Sequence, residues 1–93
     1  INSDSPNNTI GGSASTGRNL LSGNDGRGVS ITGSSTNTMQ NNYIGTDVNG
    51  TAVLGNTGIG VYVIFSSHNN IIDGDTPDER NVISGNTRYG ALL

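Results

Sequence analysis

The phrase RNLLSGN at residues 18–24 returns as RNVISGN at residues 80–86, 62 positions later in a chain of 93 residues. A shift of 62 aligns the whole stretch 8–31 with the end of the chain without a gap. Recurrence at a fixed distance indicates a repeat architecture. The question is therefore what unit is repeated, and how long it is.

A second recurrence shows that the unit is shorter than this distance. GVSI at 28–31 falls on GVYV at 60–63 with a shift of 32, and the related phrase GALL begins 30 positions later, at Gly90. The chain is therefore built from a unit of about 31 residues that alternates between two forms.

Each unit contains three short phrases in which apolar residues stand two positions apart. The phrases are GVSI, GVYV and GALL from Gly28, Gly60 and Gly90; NTI, NTM and NII from Asn8, Asn37 and Asn70; and NLL, NYI and NVI from Asn19, Asn42 and Asn81. This alternation predicts β-strands. The Gly, Asn, Ser and Asp residues that separate the phrases predict turns.

Three short strands per unit, repeated in the same order, predict an all-β fold. We expect a right-handed parallel β-helix (solenoid) of about three coils of ~31 residues each. The right hand follows from the crossover preference of parallel strands. The chain forms one domain over residues 1–93, with coils at about 1–27, 28–59 and 60–89 and the start of a further coil at 90–93.

The two forms of the unit differ in the position of their extra residues. In one form, SASTGR (13–18) or DTPDER (75–80) separates the second strand from the third. In the other form these strands nearly abut, and DVNGTAVLGN (47–56) follows the third strand. Insertions in repeat folds form surface loops, so we expect alternating protrusions at two corners.

Alternation also assigns the side chains that point into the coils. The apolar ones are Ile10, Leu21, Val29, Ile31, Met39, Ile44, Val61, Val63, Ile72, Ile83, Ala91 and Leu93. The Asn two positions before an inward aliphatic residue points inward as well. Stacking of Asn8, Asn37 and Asn70, and of Asn19, Asn42 and Asn81, predicts two amide ladders in which buried Asn side chains satisfy one another.

The composition excludes several classes of partner. Hydrophobic residues make up 30% and charged residues 12% of the chain, and the net charge is −3 with no Lys. Such a chain is not expected to bind nucleic acid or an anionic membrane, and no apolar run has membrane-spanning length. The lack of a signal peptide indicates a mature chain, a fragment, or the ordered part of something longer.

Two stretches are candidate cation sites. Asp47, Asn49 and Thr51 place oxygen atoms at alternating positions around a Gly, as in part of a calcium loop, although the distal Glu is missing. The alternative is an Asn-Gly turn at a corner. A second candidate is the carboxylate group Asp73, Asp75, Asp78 and Glu79, whose alternatives are an acid–base pair or a solvated loop paired with Arg80.

No catalytic residue is assigned. His68 is the only histidine, and it has no nucleophile or second histidine in an evident constellation. We expect it in a surface turn.

Apolar and aromatic residues also fall at outward positions. Leu20, Tyr43 and Val82 stack in one column, and Tyr62, Ile64 and Leu92 belong to another. An apolar column facing water is unusual. Either an insertion covers it, for example Val53 and Leu54 over Tyr43, or Tyr43 and Tyr62 contact another chain or a sugar ring.

The repeat also predicts self-association. Stacking head to tail would bury Leu93 and Ile83 against Ile10 and Leu21 of the next copy, with the strand edge that includes Leu92 paired as well. Such a contact does not close and propagates as a filament. Adjacent coils of a longer chain fill the same role, and Pro at Leu92 with a charge at Leu93 is expected to block stacking.

The pattern NTIGG…RNLLSGN…GVSITG…NNYIGTDVNGTAVLGN…GV resembles the Asn- and Gly-rich right-handed parallel β-helix repeats of large bacterial secreted and cell-surface proteins. The resemblance covers residues 7–93 and extends in outline to the pectate-lyase-like superfold. It implies the fold and an extracellular or cell-surface location, and it implies no particular activity, because many members of the group are scaffolds.

We expect a structural module of a surface protein or fibre, without enzymatic activity. Two alternatives stay open: a carbohydrate-binding module that uses a β-helix face, and a fragment of a polysaccharide lyase or glycosidase. Fold analogy alone does not choose among them. No cofactor is expected, with calcium as the one alternative.

Overall fold

Nine short strands carry the structure. The computed structural model describes residues 1–13, 15–65, 67–73, 76 and 79–93. The strands in this part of the chain are β1 (Thr9–Gly11), β2 (Asn19–Leu21), β3 (Val29–Thr32), β4 (Thr38–Gln40), β5 (Asn42–Ile44), β6 (Val61–Ile64), β7 (Ile71–Ile72), β8 (Val82–Ile83) and β9 (Ala91–Leu92). A 3-10 turn at Ser15–Gly17 lies between β1 and β2.

Every third strand belongs to the same sheet. The three sheets have the orders β1-β4-β7, β2-β5-β8 and β3-β6-β9, and all pairs are parallel. We call one passage through the three sheets a round: residues 1–27, 28–59 and 60–89 form the first three, and 90–93 begin another. This all-β arrangement is compatible with the predicted parallel β-helix.

The register confirms the long repeat. Thr9 pairs with Thr38 and Thr38 with Ile71, so the long repeat of the sequence relates the first round to the third in this sheet. Val29 pairs with Val61, as predicted, and Val61 pairs with Ala91, which is the position that the long repeat assigns to Val29. The alternating forms of the unit therefore lie in register in space.

The insertions explain why the sequence separation between paired residues of the first and second rounds differs from sheet to sheet. Thr9 pairs with Thr38 across β1 and β4, but the partners Asn19 and Asn42 of β2 and β5 are closer together in the chain. In β3 and β6 the separation increases again. The separation is smaller in the second sheet because residues 13–18 have no counterpart in the second round. It is larger in the third sheet because residues 47–56 are inserted before it. The second insertion folds back on itself, because Thr46 and Val53 form an antiparallel bridge.

The apolar core lies between the three sheets. Ile31, Met39, Ile44 and Val61 are fully buried at 0% exposure. Partly buried hydrophobic residues pack against this cluster from the first and third rounds: Ile1, Ile10, Leu21, Ile72 and Ile83. Two further residues that the alternation did not assign also belong inside, since Ile59 is buried and Ile1 contacts the core.

Two residues that we expected inside the coils are exposed. Ala91 is exposed, and Leu93 is 81% exposed. Burial of their equivalents Val29, Ile31 and Val61 depends on a further strand beside them, and β9 is the last strand of its sheet. The phrase GALL has the right pattern but no neighbour to complete its burial.

A recurring glycine allows the rounds to approach closely. A Cβ built on Gly28 lies 2.7 Å from the carbonyl oxygen of Gly60, and one built on Gly60 lies 2.4 Å from that of Gly90. At Gly90 the nearest atom is 3.7 Å away. Glycine is thus required at this position wherever another round follows.

Within the described ranges, no helix has the length and apolar character that a membrane crossing needs.

Candidate functional site

Asparagine side chains connect successive rounds at the corners between sheets. In the first column, the backbone N–H and Nδ2 of Asn8 both donate to Oδ1 of Asn37, and those of Asn37 donate to Oδ1 of Asn70, at 2.8–3.0 Å. Asn37 is 1% exposed. The first predicted set of stacked asparagines is therefore present as a hydrogen-bonded column.

The second predicted set forms an equivalent column. Asn19 Nδ2 donates to Oδ1 of Asn42 at 3.1 Å, and the N–H and Nδ2 of Asn42 donate to Oδ1 of Asn81 at 3.0 Å. Asn42 is fully buried, and its Nδ2 also reaches the carbonyl oxygens of Ile10 and Gln40. One buried amide group thus makes hydrogen bonds to the asparagines of both neighbouring rounds and to two backbone carbonyls.

A third column was missed in the sequence. The N–H and Nδ2 of Asn24 donate to Oδ1 of Asn56, and those of Asn56 donate to Oδ1 of Asn86, at 2.8–3.1 Å. Asn56 is fully buried. The signal was available, because SGN, LGN and SGN end at these three residues. These asparagines follow a strand instead of preceding one, and the search for Asn-x-Ile did not include them.

All three columns have the same direction. In each one the asparagine of the earlier round donates, and Oδ1 of the later round accepts. The columns therefore have an acceptor end at the first round and a donor end at the third. Because the direction is the same in all three columns, it distinguishes one end of the molecule from the other.

A cavity opens between the sheets at the third-round end. Its volume is about 370 Å³, and Val63, Ile72 and Leu93 supply its apolar lining. Ser67, Asn69 and Asn70 contribute polar groups, and His68 also lines it. His68 is exposed, as expected for a turn, and its backbone N–H donates to Ser35 Oγ.

The predicted self-association residues divide between the two ends. Ile10 and Leu21 are partly buried in β1 and β2 of the first round. Ile83 is partly buried in β8 of the third round, where Leu93 lines the cavity. Leu92 pairs with Tyr62 in the outward register and is 38% exposed, so its side chain is not part of the core.

An arginine side chain packs on the ring of each of the outward residues Tyr43 and Tyr62. The guanidinium carbon of Arg18 lies 4.3 Å from the ring centroid of Tyr43, and that of Arg27 lies 4.2 Å from the centroid of Tyr62. Contacts of this length are cation–π interactions. Sugar binding at Tyr43 or Tyr62 stays a prediction, and a sugar that stacks on the same face displaces the guanidinium.

Tyr43 also has contact from the second insertion. A Cβ built on Gly50 lies 2.8 Å from Tyr43 Cε2, so the backbone of this loop packs on the ring. Val53 and Leu54, which we expected over Tyr43, lie close to Gly85 and Gly23. The loop therefore contacts the tyrosine through a different residue, and its apolar side chains touch the first and third rounds.

The Asp47 carboxylate accepts hydrogen bonds from the backbone of its own loop. Its Oδ1 accepts hydrogen bonds from the N–H groups of Asn49, Thr51 and Ala52 at 3.1–3.3 Å. The bonds from Thr51 and then Ala52 lower the pKa of Asp47 below its ordinary value. This geometry is that of a hydrogen-bonded turn, and a calcium ion at Asp47, Asn49 and Thr51 competes with these donors.

The second acidic stretch is only partly described. Asp75 and Asp78 lie outside the described residues. Asp73 is exposed, and Glu79 accepts hydrogen bonds from Gln40 Nε2 and Thr76 Oγ1. Among the residues with described positions, no three His, Asp or Glu side chains are close enough to hold a metal ion together.

Comparison of the chain with protein-family models, with curated proteins and with solved structures finds no match.

Proposed function

We propose that this chain is a structural module of an extracellular or cell-surface protein or fibre. Its rounds are the coils of a right-handed parallel β-helix, and the module acts by its rigid shape and by binding further coils at its ends. The observation that carries the proposal is the third-round end, where three parallel sheets stop beside an open cavity of about 370 Å³ with apolar and polar lining.

Within the described residues, no further strand pairs with β7, β8 or β9 at this end. In parallel sheets, alternate residues of a strand bond to opposite neighbours. The N–H of Val61 donates to the carbonyl of Gly90, so the groups of Ala91 face away from β6. Ile72 and Ile83 have the same relation to β4 and β5, since their neighbours Asp73 and Ser84 donate to Met39 and Ile44. Such edges are templates for another strand.

The equivalence of the rounds supports a further coil as the partner of these edges. The first round already provides such an edge to the second, and the third round has the same register position as the first. Another coil therefore meets the environment in which the second round already lies. The extracellular location rests on the resemblance of the Asn- and Gly-rich repeat to surface proteins.

Gly90→Ala tests end-on binding without disturbing the single module. Its Cβ meets nothing closer than 3.7 Å, whereas at the equivalent Gly60 a Cβ meets the next round at 2.4 Å. We expect the wild-type chain to form end-to-end assemblies in sedimentation velocity and negative-stain electron microscopy. Gly90→Ala is expected to stay monomeric with an unchanged melting temperature.

The control is Val48→Asp, which changes an exposed residue in the corner loop. It is expected to assemble like the wild type. A wild-type chain that remains a folded monomer at high concentration overturns the proposal of end-on binding.

Carbohydrate binding is a second candidate, and one observation favours Tyr62 as its centre. Tyr62 lies on the outer face of β6 beside Leu92 of β9, with Arg27 as a hydrogen-bond donor over its ring. Aromatic rings and adjacent donors suit the faces and hydroxyls of sugars. A glycan array with wild type, Tyr62→Ala and the exposed Tyr89→Ala decides this, because binding lost only in Tyr62→Ala supports it.

Catalysis is not part of the proposal. The lyase or glycosidase alternative needs a pair of acidic groups at a cleft. In the described ranges, Glu79 is hydrogen-bonded to Gln40 and Thr76, and Asp47 to its own loop. An assay for reducing sugars or unsaturated products on polysaccharide mixtures is the direct test.

A further inference from the structure

The common direction of the asparagine columns makes the two ends chemically different. At the first-round end, Oδ1 of Asn8, Asn19 and Asn24 has no donor among the described residues. The equivalent Oδ1 atoms of Asn37, Asn42 and Asn56 each accept a hydrogen bond from the asparagine of the preceding round. The first-round end thus presents three amide oxygens at three corners.

The third-round end presents the matching donors. The backbone N–H groups of Asn70, Asn81 and Asn86 have no acceptor in the described part of the chain. Their Nδ2 groups donate back to the carbonyls of Ser34, Met39 and Ile44, each with a second hydrogen remaining. In the earlier rounds, the equivalent Nδ2 groups, and the N–H groups of all these asparagines except Asn19, donate to Oδ1 of the following asparagine.

We infer that the third-round end of one molecule binds the first-round end of a second copy, in head-to-tail orientation only. This inference rests on the proposed function and adds its partner and direction. Asn70, Asn81 and Asn86 donate to Oδ1 of Asn8, Asn19 and Asn24 of the second copy, at all three corners together. Head-to-head or tail-to-tail contact places acceptors against acceptors or donors against donors.

The apolar residues at the two ends agree with this assignment. Within one molecule, the sheets have the orders β1-β4-β7 and β2-β5-β8. Continuing these orders places β1 and β2 of the second copy beside β7 and β8. Ile72 and Ile83 then lie against Ile10 and Leu21, and all four are only partly buried in the single molecule. The second copy supplies the missing cover.

Ile1 pairs with Ile31, and Ile31 with Val63, so Ile1 of the second copy falls at the position of the exposed Leu93, which has to move aside.

Two singly blocked variants test the direction. Ala91→Pro removes a free N–H at the third-round end, because its neighbour Gly90 bonds to β6. For the same reason Ala91 is a better position for Pro than Leu92. Thr9→Pro removes an N–H that faces the first-round end, since the preceding Asn8 bonds to β4 and alternate residues of the strand face opposite ways. Proline at an edge strand is tolerated where no ladder bond is lost.

Head-to-tail binding makes a distinctive prediction for these variants. Each variant alone is expected to be monomeric in sedimentation velocity, because its one free end has no complementary end to bind. Mixed in equal amounts, they are expected to form a 1:1 dimer that does not grow further. If either variant forms a homodimer on its own, the direction is wrong although end-on binding survives.

Amide hydrogen exchange gives an independent readout. On assembly of the wild type, the N–H groups of Asn70, Asn81 and Asn86 are expected to exchange at least about tenfold more slowly. The N–H groups of Asn37, Asn42 and Asn56, which are bonded in the single molecule, serve as internal controls. Assembly without protection at the three donors overturns the inference.

Folding of each variant is checked by circular dichroism before mixing. Gly90→Ala replaces Ala91→Pro, and Leu20→Pro replaces Thr9→Pro, if either proline variant is unfolded. Folded variants that stay monomeric in the mixture, while the wild type assembles, also overturn the inference. A wild-type chain that never assembles refutes the proposed function itself, so the two failures are distinguishable.

Discussion

The second round and its two neighbours contain the same phrases and reach different degrees of burial. Asn42 is fully buried, whereas its equivalent Asn19 is exposed and Asn81 is half-buried. A Cβ is excluded at Gly60 but has room at Gly90. The phrase itself therefore does not decide whether a polar group is buried. Burial depends on whether a neighbouring round lies on both sides of the residue. The same phrase therefore contributes differently to stability in the first, second and third rounds.

The largest contrast is expected for Asn42→Leu against Asn19→Leu. Leu at position 42 removes the partner of Asn19 Nδ2 and takes one donor away from each of the carbonyls of Ile10 and Gln40. We expect a loss of roughly 3 kcal/mol in the free energy of unfolding, the upper end of the cost of orphaning a buried polar group. Asn19→Leu removes one bond at an exposed end, with a cost of about 1 kcal/mol.

Chemical denaturation of both variants measures the difference. Equal losses at the two positions, or an unchanged melting temperature for Asn42→Leu, contradict the role of the column in the stability of the second round.

A smaller contrast is expected for Gly60→Ala against Gly90→Ala. The methyl group at position 60 meets the Gly90 carbonyl, and Asn86 Nδ2 and Ile83 Cγ2 lie within 2.8 Å. Overpacking of this kind costs about 2 kcal/mol. At position 90 the same change has space and is expected to alter stability by less than about 1 kcal/mol. Thermal unfolding of both variants is the measurement, and a similar destabilisation by both would show that backbone conformation, not the next round, requires glycine.

The smallest effect concerns the corner loop of the second round, which the other rounds lack. The pKa of Asp47 is lowered by the N–H groups of Thr51 and Ala52, so its contribution to the order of the loop is present above the ordinary pKa of 3.8 and is lost as pH falls through the lower folded value. We expect the amide of Thr51 to lose protection below about pH 3.8 in hydrogen exchange.

The Asp47→Asn variant is the matched comparison for that titration. It keeps an oxygen acceptor but no longer titrates, so its Thr51 protection is expected to be independent of pH in this range. Loss of protection at the same pH in both proteins would assign the effect to another group.

The strand register was predictable from the sequence because it depends on short, repeated phrases. Val29 against Val61 and the first two asparagine columns followed from alternation and spacing alone. The expected burial of Ala91 and Leu93 was wrong for a physical reason. Alternation gives the direction of a side chain but not the presence of a neighbour that covers it. The hand of the coils and the location of the protein stay predictions.

The site was less predictable than the fold. The Arg18–Tyr43 and Arg27–Tyr62 contacts join residues from different rounds, and no local pattern indicates which guanidinium reaches which ring. The third column was visible as a repeated Gly-Asn. Its direction was not, because the donor and acceptor of each amide depend on the positions of the strands above and below it.

The corner loop of the second round has a consequence for cooperativity. Leu54 donates to the Gly45 carbonyl and accepts from the Gly23 N–H in the first round, while Val53 Cγ1 lies 3.0 Å from a Cβ built on Gly85 in the third. A linear array whose units touch only nearest neighbours frays from its ends, one unit at a time. This loop adds a coupling between second neighbours, so the loss of either outer round also removes contacts from the loop that supports the other. Fraying of the outermost rounds is thereby linked, and the array unfolds more nearly as one unit than a chain of independent pairwise contacts does.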